Sequence, residues 1–327
     1  MTAETFRQSC YTFIMKKHIC IILGLLITTT VFAQEKSAYQ MARFNQALDS
    51  IETLLKSDQD AEKVVRNMID SSDGRIAAFN LQALAKIYAK QNDLFGTLRK
   101  DFKTIEDGIG TADKWIKLKN KEKEKKAVSD FAVVLRKEEW SVAGTSPKMQ
   151  KIRNDLQNYA WPTPAQDRQF ILGQLGLDLE KIKATAYDFS KLEEGNGLHE
   201  FRREVRWFTI KARVLNGLFK FKAGNACPVE ELKPLLSLPI ATSKYAQLPA
   251  NPSEKNTCAI TQCLFVDMAS IVESVGAIKD EVEQLIGNTG SDETPEKLRK
   301  KVEAIYDSFK SRDTLTRLGV DLKSCQP

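Results

Sequence analysis

Residues 198–219 read LHEFRREVRWFTIKARVLNGLF, and the spacing of apolar and basic positions in this stretch decides the fold class. Successive residues on an α-helix turn by about 100°. Leu198, Phe201, Val205, Phe208, Ala212, Leu215 and Phe219 then share one face, and His199, Arg202, Arg203, Arg206 and Arg213 share the opposite one. The first face is suited to a core. The second offers an imidazole and four guanidinium groups along roughly 20 Å of helix. Arginine binds phosphate through a planar, permanently charged fork, so the row points to an extended polyanion.

Working outward, the same periodicity recurs. Met41, Phe44, Leu48, Ile51 and Leu55 form an apolar stripe at three- and four-residue intervals, and AEKVVRNMID (61–70) repeats it in shorter form. Ser71 to Gly74 is a turn and cap signal. Residues 75–110 continue helically, with breaks expected near Asn92 and Gly108. A further pattern through Trp115, Ile116 and Leu118 runs into KNKEKEKK, a mixed-sign block that reads as a solvated helix face or a helix-joining loop. Gly144, Pro147, Pro162 and Pro164 interrupt helix over 141–165 and set a boundary between halves. Helix resumes over 167–192 and turns at 193–197. The stretch from Ala223 to Asn256, with five prolines, is irregular. Residues 258–287 return to helix, with Leu264, Met268, Ile271, Val275, Ile278 and Val282 as the stripe. Pro295 opens a last helix, for which Gly319 is the expected stop. Nowhere is there sustained alternation or a hairpin signal. The expected fold is all-α, built from antiparallel helical bundles.

The chain has 327 residues, 42% hydrophobic and 28% charged, enough for a sizeable core and a soluble surface. From Met15 it runs MKKHICIILGLLITTTVFAQ: a basic start, a short apolar run, then small residues ending at Ala33. That is the layout of a secretory signal, with Met15 as the start and cleavage after Ala33, and the apolar run is short for a spanning helix. The expected organisation is therefore an N-terminal extension and signal over 1–33, a first helical half over 34–145 and a second over 146–327, in an exported, periplasmic or secreted protein. Residues 1–33 contain three cations (Arg7, Lys16, Lys17) and one anion (Glu4), so their removal takes the formal charge from +6 to +4. Anion binding must then come from local clustering. Behind an export leader the lysine-rich block does not read as a nucleic-acid signal, and no nucleic-acid partner is expected. His199 becomes the sole histidine of the mature chain. Cys227, Cys258, Cys263 and Cys325 remain, an even count that points to two disulfides, one of them within the 227–263 stretch. Zinc is the weaker alternative, since there is no CxxC pair and no nearby histidine.

At LHEFRREVR the chain resembles the CHAD family, the conserved histidine α-helical domain, whose motif helix opens with a histidine followed by arginines three and seven residues later. His199, Arg202 and Arg206 match those positions, and SVGAIKDEVEQL resembles a later family helix through Gly276 and Asp280. The family is an internal duplication, so a first copy belongs upstream. AFNLQALAKIYAK followed by IEDGIGTADKWIKL has the right order, but Phe79, Gln82 and Lys86 stand where the histidine and the two arginines belong. The resemblance implies two bundles related by a degenerate repeat, a basic groove between them and binding of inorganic polyphosphate or a similar polyanion, without catalysis. Lys86 and Lys90 are then candidates to face His199, Arg202, Arg203, Arg206 and Arg213 across that groove. Trp207, at the edge of the row, is expected to be a boundary core residue. The sequence holds no Gly-rich phosphate loop, GxSxG or HExxH, and no second histidine for a metal after the leader, so neither an enzyme nor a cofactor is expected. The alternative function is a structural or protein-interaction domain that has kept the fold and lost the ligand.

Overall fold

Most helices of this chain begin where a short polar side chain takes over an orphan backbone donor. The computed structural model describes residues 40–190, 192, 197–224, 227–249, 257–286 and 293–325; the expected leader, the turn at 193–196 and the loop at 287–292 lie outside them. Helix α1 spans 40–55. Asp60 caps α2 (Ala61–Asp70), Ser71 caps α3 (Ser72–Tyr88), Asn92 caps α4 (Asp93–Lys117) and Asn120 caps α5 (Lys121–Lys137). Helix α6 (Pro147–Asn158) and α7 (Pro164–Ala184) each open on a proline, and Thr163 with Gln166 closes a capping box on α7. Then come α8 (Leu198–Val214), α9 (Gln262–Ile286), α10 (Pro295–Ser311) and α11 (Thr314–Ser324). The fold is all-α.

The expected stripes are the buried ones. Phe44, Leu48, Ile51 and Leu55 of α1 are fully buried, and so are Met268 and Val275 of α9. One continuous apolar interior runs from Met41 to Leu322 and crosses the boundary placed at 145/146. Helices α3 and α4, and α4 and α5, pack as consecutive antiparallel neighbours, while α8 lies against α3, α7 and α9.

Several local expectations are corrected. Gly108 does not break a helix; it lies inside α4, where the Phe131 ring occupies the space a side chain would need. Pro147 does not exclude helix from 141–165, because a proline in the first turn forfeits no intrahelical bond, and α6 follows it. The lysine block, by contrast, is as expected a solvated helix face, exposed on the first turns of α5. The helix carrying the basic row stops at Val214, so Phe219, though buried, sits on a short strand, β1 (Phe219–Phe221). It pairs in parallel with β2 (Cys258–Ile260), a length of helix in the sequence reading. The proline-rich segment contains two 3₁₀ turns, Glu230–Ser237 and Pro239–Thr242. Gly319 lies within α11; the break falls at Asp313, which takes a left-handed conformation (φ 53°) between α10 and α11.

Two disulfides join Cys227 to Cys263 and Cys258 to Cys325. The first lies within the 227–263 stretch, as expected, and all four thiols are used, which removes the zinc alternative for them. The first bond pins the irregular segment to the start of α9, and the second pins the end of α11 to β2. Among the described residues no helix is long and apolar enough to cross a membrane. Both features are compatible with an exported protein.

Candidate functional site

Helix α8 buries more of its circumference than its sequence pattern predicts. Leu198, Phe201, Val205, Phe208 and Ala212 are buried as expected, but so are Glu204, Thr209, Ile210 and Lys211. Because α3, α7 and α9 surround it, only His199 and Arg203 are well exposed, while Arg202, Arg206 and Arg213 are half-buried. The single exposed row of cations is therefore corrected to a set of side chains sent to different neighbours.

Arg203 turns to Glu200 on its own helix and forms an ordinary surface pair. Arg202 donates from Nε to the carbonyl of Val272 on α9 at 3.0 Å. Its guanidinium lies where a side chain on Gly276 would be, within 2.9 Å of that position. Arg213 donates to the carbonyl of Lys244 at 2.7 Å and to Asn80 Oδ1 on α3 at 3.3 Å. Arg206 lies with its Cζ 4.8 Å from the centre of the Phe79 ring. Its Nε is buried and has no hydrogen-bond partner, and no carboxylate forms an ion pair with it among the described residues.

Helix α3 supplies the facing wall. Arg75 lies 5.7 Å from the Phe79 ring and pairs with Glu106 at 3.2 Å and Asp113 at 3.3 Å, both on α4. Gly110 leaves room for that guanidinium, since a side chain there would come within 3.0 Å of Arg75 Nη2. Phe79 meets Trp207 edge-on at 5.8 Å, and Lys86 Nζ stands 5.0 Å from the Trp207 ring. Trp207 is thus a half-buried residue at the core boundary that stacks on a lysine. Lys86 comes to the α3–α8 seam as expected. Lys90 does not: it lies exposed beyond the end of α3.

The charges of the seam fall in two groups on either side of Phe79 and Trp207. On one side Lys211 pairs with Asp178 and Lys181 with Glu204, leaving Lys86 as a third ammonium beside two carboxylates. Burial, reinforced by Lys211, lowers the Lys86 amine to about 8 despite Asp178 and Glu204. On the other side, burial and then the charge of Arg202 lower Arg206 to about 10, with Tyr245 and Glu106 opposing. Arg213 is lowered by burial, with Tyr245 opposing. His199 sits below its ordinary 6.5, first because it is partly desolvated and then because Lys279, Arg203, Arg206 and Arg202 surround it with positive charge. An anion placed against Arg206 would reverse the sign of these interactions.

Arg75, Asn80 and Tyr245 belong to this site and were not found from sequence. Arg75 and Asn80 lie on a helix whose basic residues seemed lost, and Tyr245 lies in the aperiodic segment, where no repeat spacing indicates which residues face inward. Among the described residues no three His, Cys, Asp or Glu side chains are grouped to hold a metal ion. Searches of protein-family models, of curated proteins and of solved structures each find no match to this chain.

Proposed function

We propose that the protein is a non-catalytic anion-binding module that takes a phosphate-class group, as in inorganic polyphosphate or a similar polyanion, at the α3–α8 seam. The observation that carries this reading is Arg206: a half-buried side chain whose buried Nε has no partner, set beside Arg202 and Arg75, while Glu106, the carboxylate that acts on it, is already paired with Arg75. A buried charge without a counter-charge costs several kcal/mol by the general behaviour of such groups. A phosphate oxygen accepting from Nε would remove that cost through a charge-assisted hydrogen bond. Arg202 and Arg75 stand beside it to share a second oxygen, and His199, at the exposed end of α8, would gain a proton as an anion approaches. The resemblance of His199, Arg202 and Arg206 to the CHAD motif supports the same ligand class.

A structural role is the second reading, favoured by Arg202 and Arg213. Both spend donors on backbone carbonyls and so pin α9 and the segment around Lys244. Titration of the purified protein with polyphosphate, against a sulfate control of matched ionic strength, separates the two. Under the binding reading Arg206→Met lowers affinity by about tenfold to a hundredfold, the worth of one or two hydrogen bonds to a charged group. The binding curve should also weaken steeply with salt, and less steeply in the variant. Saturable binding that Arg206→Met leaves unchanged, or no binding beyond sulfate, leaves the structural role standing.

A further inference from the structure

The hairpin tip joining α4 to α5 is remote from any use made of it so far. Residues 114–126 carry seven lysines against Glu122 and Glu124, a net charge of +5, and all seven lysines are exposed. Glu124 is buried and already taken by Lys121 and Arg66. Lys119 and Lys125 have no ion pair among the described residues. Such a block by itself is an ordinary solvated surface. Here it coincides with apolar side chains held out of the core: Ile116 is 36% exposed and Leu118 39%. Trp115 lies half-buried beside them, with Lys114 Nζ 5.4 Å and Lys123 Nζ 4.4 Å from its ring.

We infer that this tip docks the protein on an anionic lipid surface. Indole and aliphatic groups favour the boundary between headgroups and acyl chains. Lysine ammonium groups reach from their apolar stems to the phosphates around that boundary, where the negative potential of an anionic membrane attracts them. The tip presents both components on one short projection. The apolar pair alone would leave its occupant undefined; Asp113, Asp130 and Glu124 take up Lys117, Lys126 and Lys121, and Lys114, Lys119, Lys123 and Lys125, without an ion pair among the described residues, fix the sign of the partner. The inference is independent of the anion reading at Arg206, although Asp113 links the two regions by pairing with both Arg75 and Lys117. Docking by the tip would hold the α3–α8 seam close to the lipid headgroups.

Vesicle flotation tests this with protein recovered in its exported form after expression of the full chain. Phosphatidylcholine vesicles are compared with vesicles of phosphatidylcholine and phosphatidylglycerol in equal parts. Binding shared by both lipids reports other segments, so the phosphatidylglycerol-dependent part is the readout. The expected result is such a part, reduced about tenfold or more by Lys119→Glu with Lys125→Glu, and reduced severalfold by Ile116→Ser with Leu118→Ser. All four positions are exposed, and unchanged far-ultraviolet circular dichroism checks that the variants fold. Absence of a phosphatidylglycerol-dependent part overturns the inference. So does equal binding by the charge-reversed protein, or full retention of binding by the serine variant, which would reduce the tip to a plain cationic patch. Capture of soluble polyphosphate or an acidic protein by the tip without vesicle binding overturns it as well.

Discussion

Arg43 and Arg206 both lose water on folding, and they differ in what meets them. Arg43 on α1 is almost wholly enclosed. Its Nη1 donates to Asp167 Oδ2 and to Tyr88 Oη, both at 2.7 Å, and the Tyr88 hydroxyl donates to Asp167 Oδ1 at 2.9 Å. Burial alone would lower its pKa, but Tyr88 and Asp167 together outweigh burial and raise it. Arg206, half-buried, meets an aromatic face and other arginines, and burial with the charge of Arg202 outweighs Tyr245 and Glu106, so that the pKa falls to about 10. Arg43 ties α1, α3 and α7 together across the two halves of the chain, so its charge is consumed by the fold. The charge of Arg206 is left over. An enclosed cation that the fold does not neutralise is the best evidence here for an external anion.

The largest expected effect breaks the satisfied side of this comparison. Asp167→Ala leaves Arg43 buried without its carboxylate and should cost about 3–5 kcal/mol, read from urea unfolding. Arg206→Met should do the reverse. It removes an unpaired charge while keeping an unbranched apolar stem, so the unfolding midpoint should stay or rise while polyphosphate affinity falls. A loss of stability comparable to that of Asp167→Ala would show that Arg206 is structurally paired, and would end the contrast. Gly276→Ala acts at one remove. It displaces the Arg202 guanidinium from Val272, which should cost about 1 kcal/mol, and it should weaken anion binding severalfold, seen in the same titration.

Two smaller effects are read against pH. The Lys86 amine is lowered to about 8 in the folded protein, whereas an unfolded lysine titrates near 10.4. Between those values the unfolded chain holds the extra proton, so stability should rise with pH from about 8 to about 10.4. That increment should vanish in Lys86→Met, measured by denaturant titration at each pH. His199 is lowered below 6.5 in the free protein, and a bound anion raises it. Affinity should therefore strengthen as pH falls through the raised value of the bound state, and level off once pH lies below the lowered value of the free protein. A flat profile to pH 5.5 in the wild type would remove His199 from the ligand contacts, and His199→Ala should show that flat profile in either case.

Much of the fold was legible because helix burial obeys a short-range rule. The stripes through Phe44, Leu48 and Ile51 and through Leu264, Met268 and Val275 depend only on the helical repeat, and each is buried as spaced. Gly108 misled because the Phe131 ring needs the space there, and Gly319 lies within α11 with no neighbour that accounts for it. The strand pair at Phe219 and Cys258 joins residues far apart in sequence, so no local pattern could announce it. The candidate site divides in the same way. His199, Arg202, Arg206 and Lys86 came from periodicity and resemblance. Arg75 and Tyr245 came only from neighbours, and Lys90, chosen because it lies one turn beyond Lys86, faces solvent.

The sequence by itself determined that this is a helical protein with a concentration of arginine along one helix and cysteines suited to bridging its irregular segment. Those properties follow from the identities and spacing of residues within a few turns of each other. Only the tertiary structure decided which positive charges are spent. MARFNQAL gives no sign that Arg43 meets Asp167, more than a hundred residues away, and LHEFRREVR, although it places Glu200 within reach of Arg203, gives no sign that Arg206 finds a ring. Neutralisation depends on the distance between charges in space and on the water removed from between them. Both are set when helices distant in the chain come together.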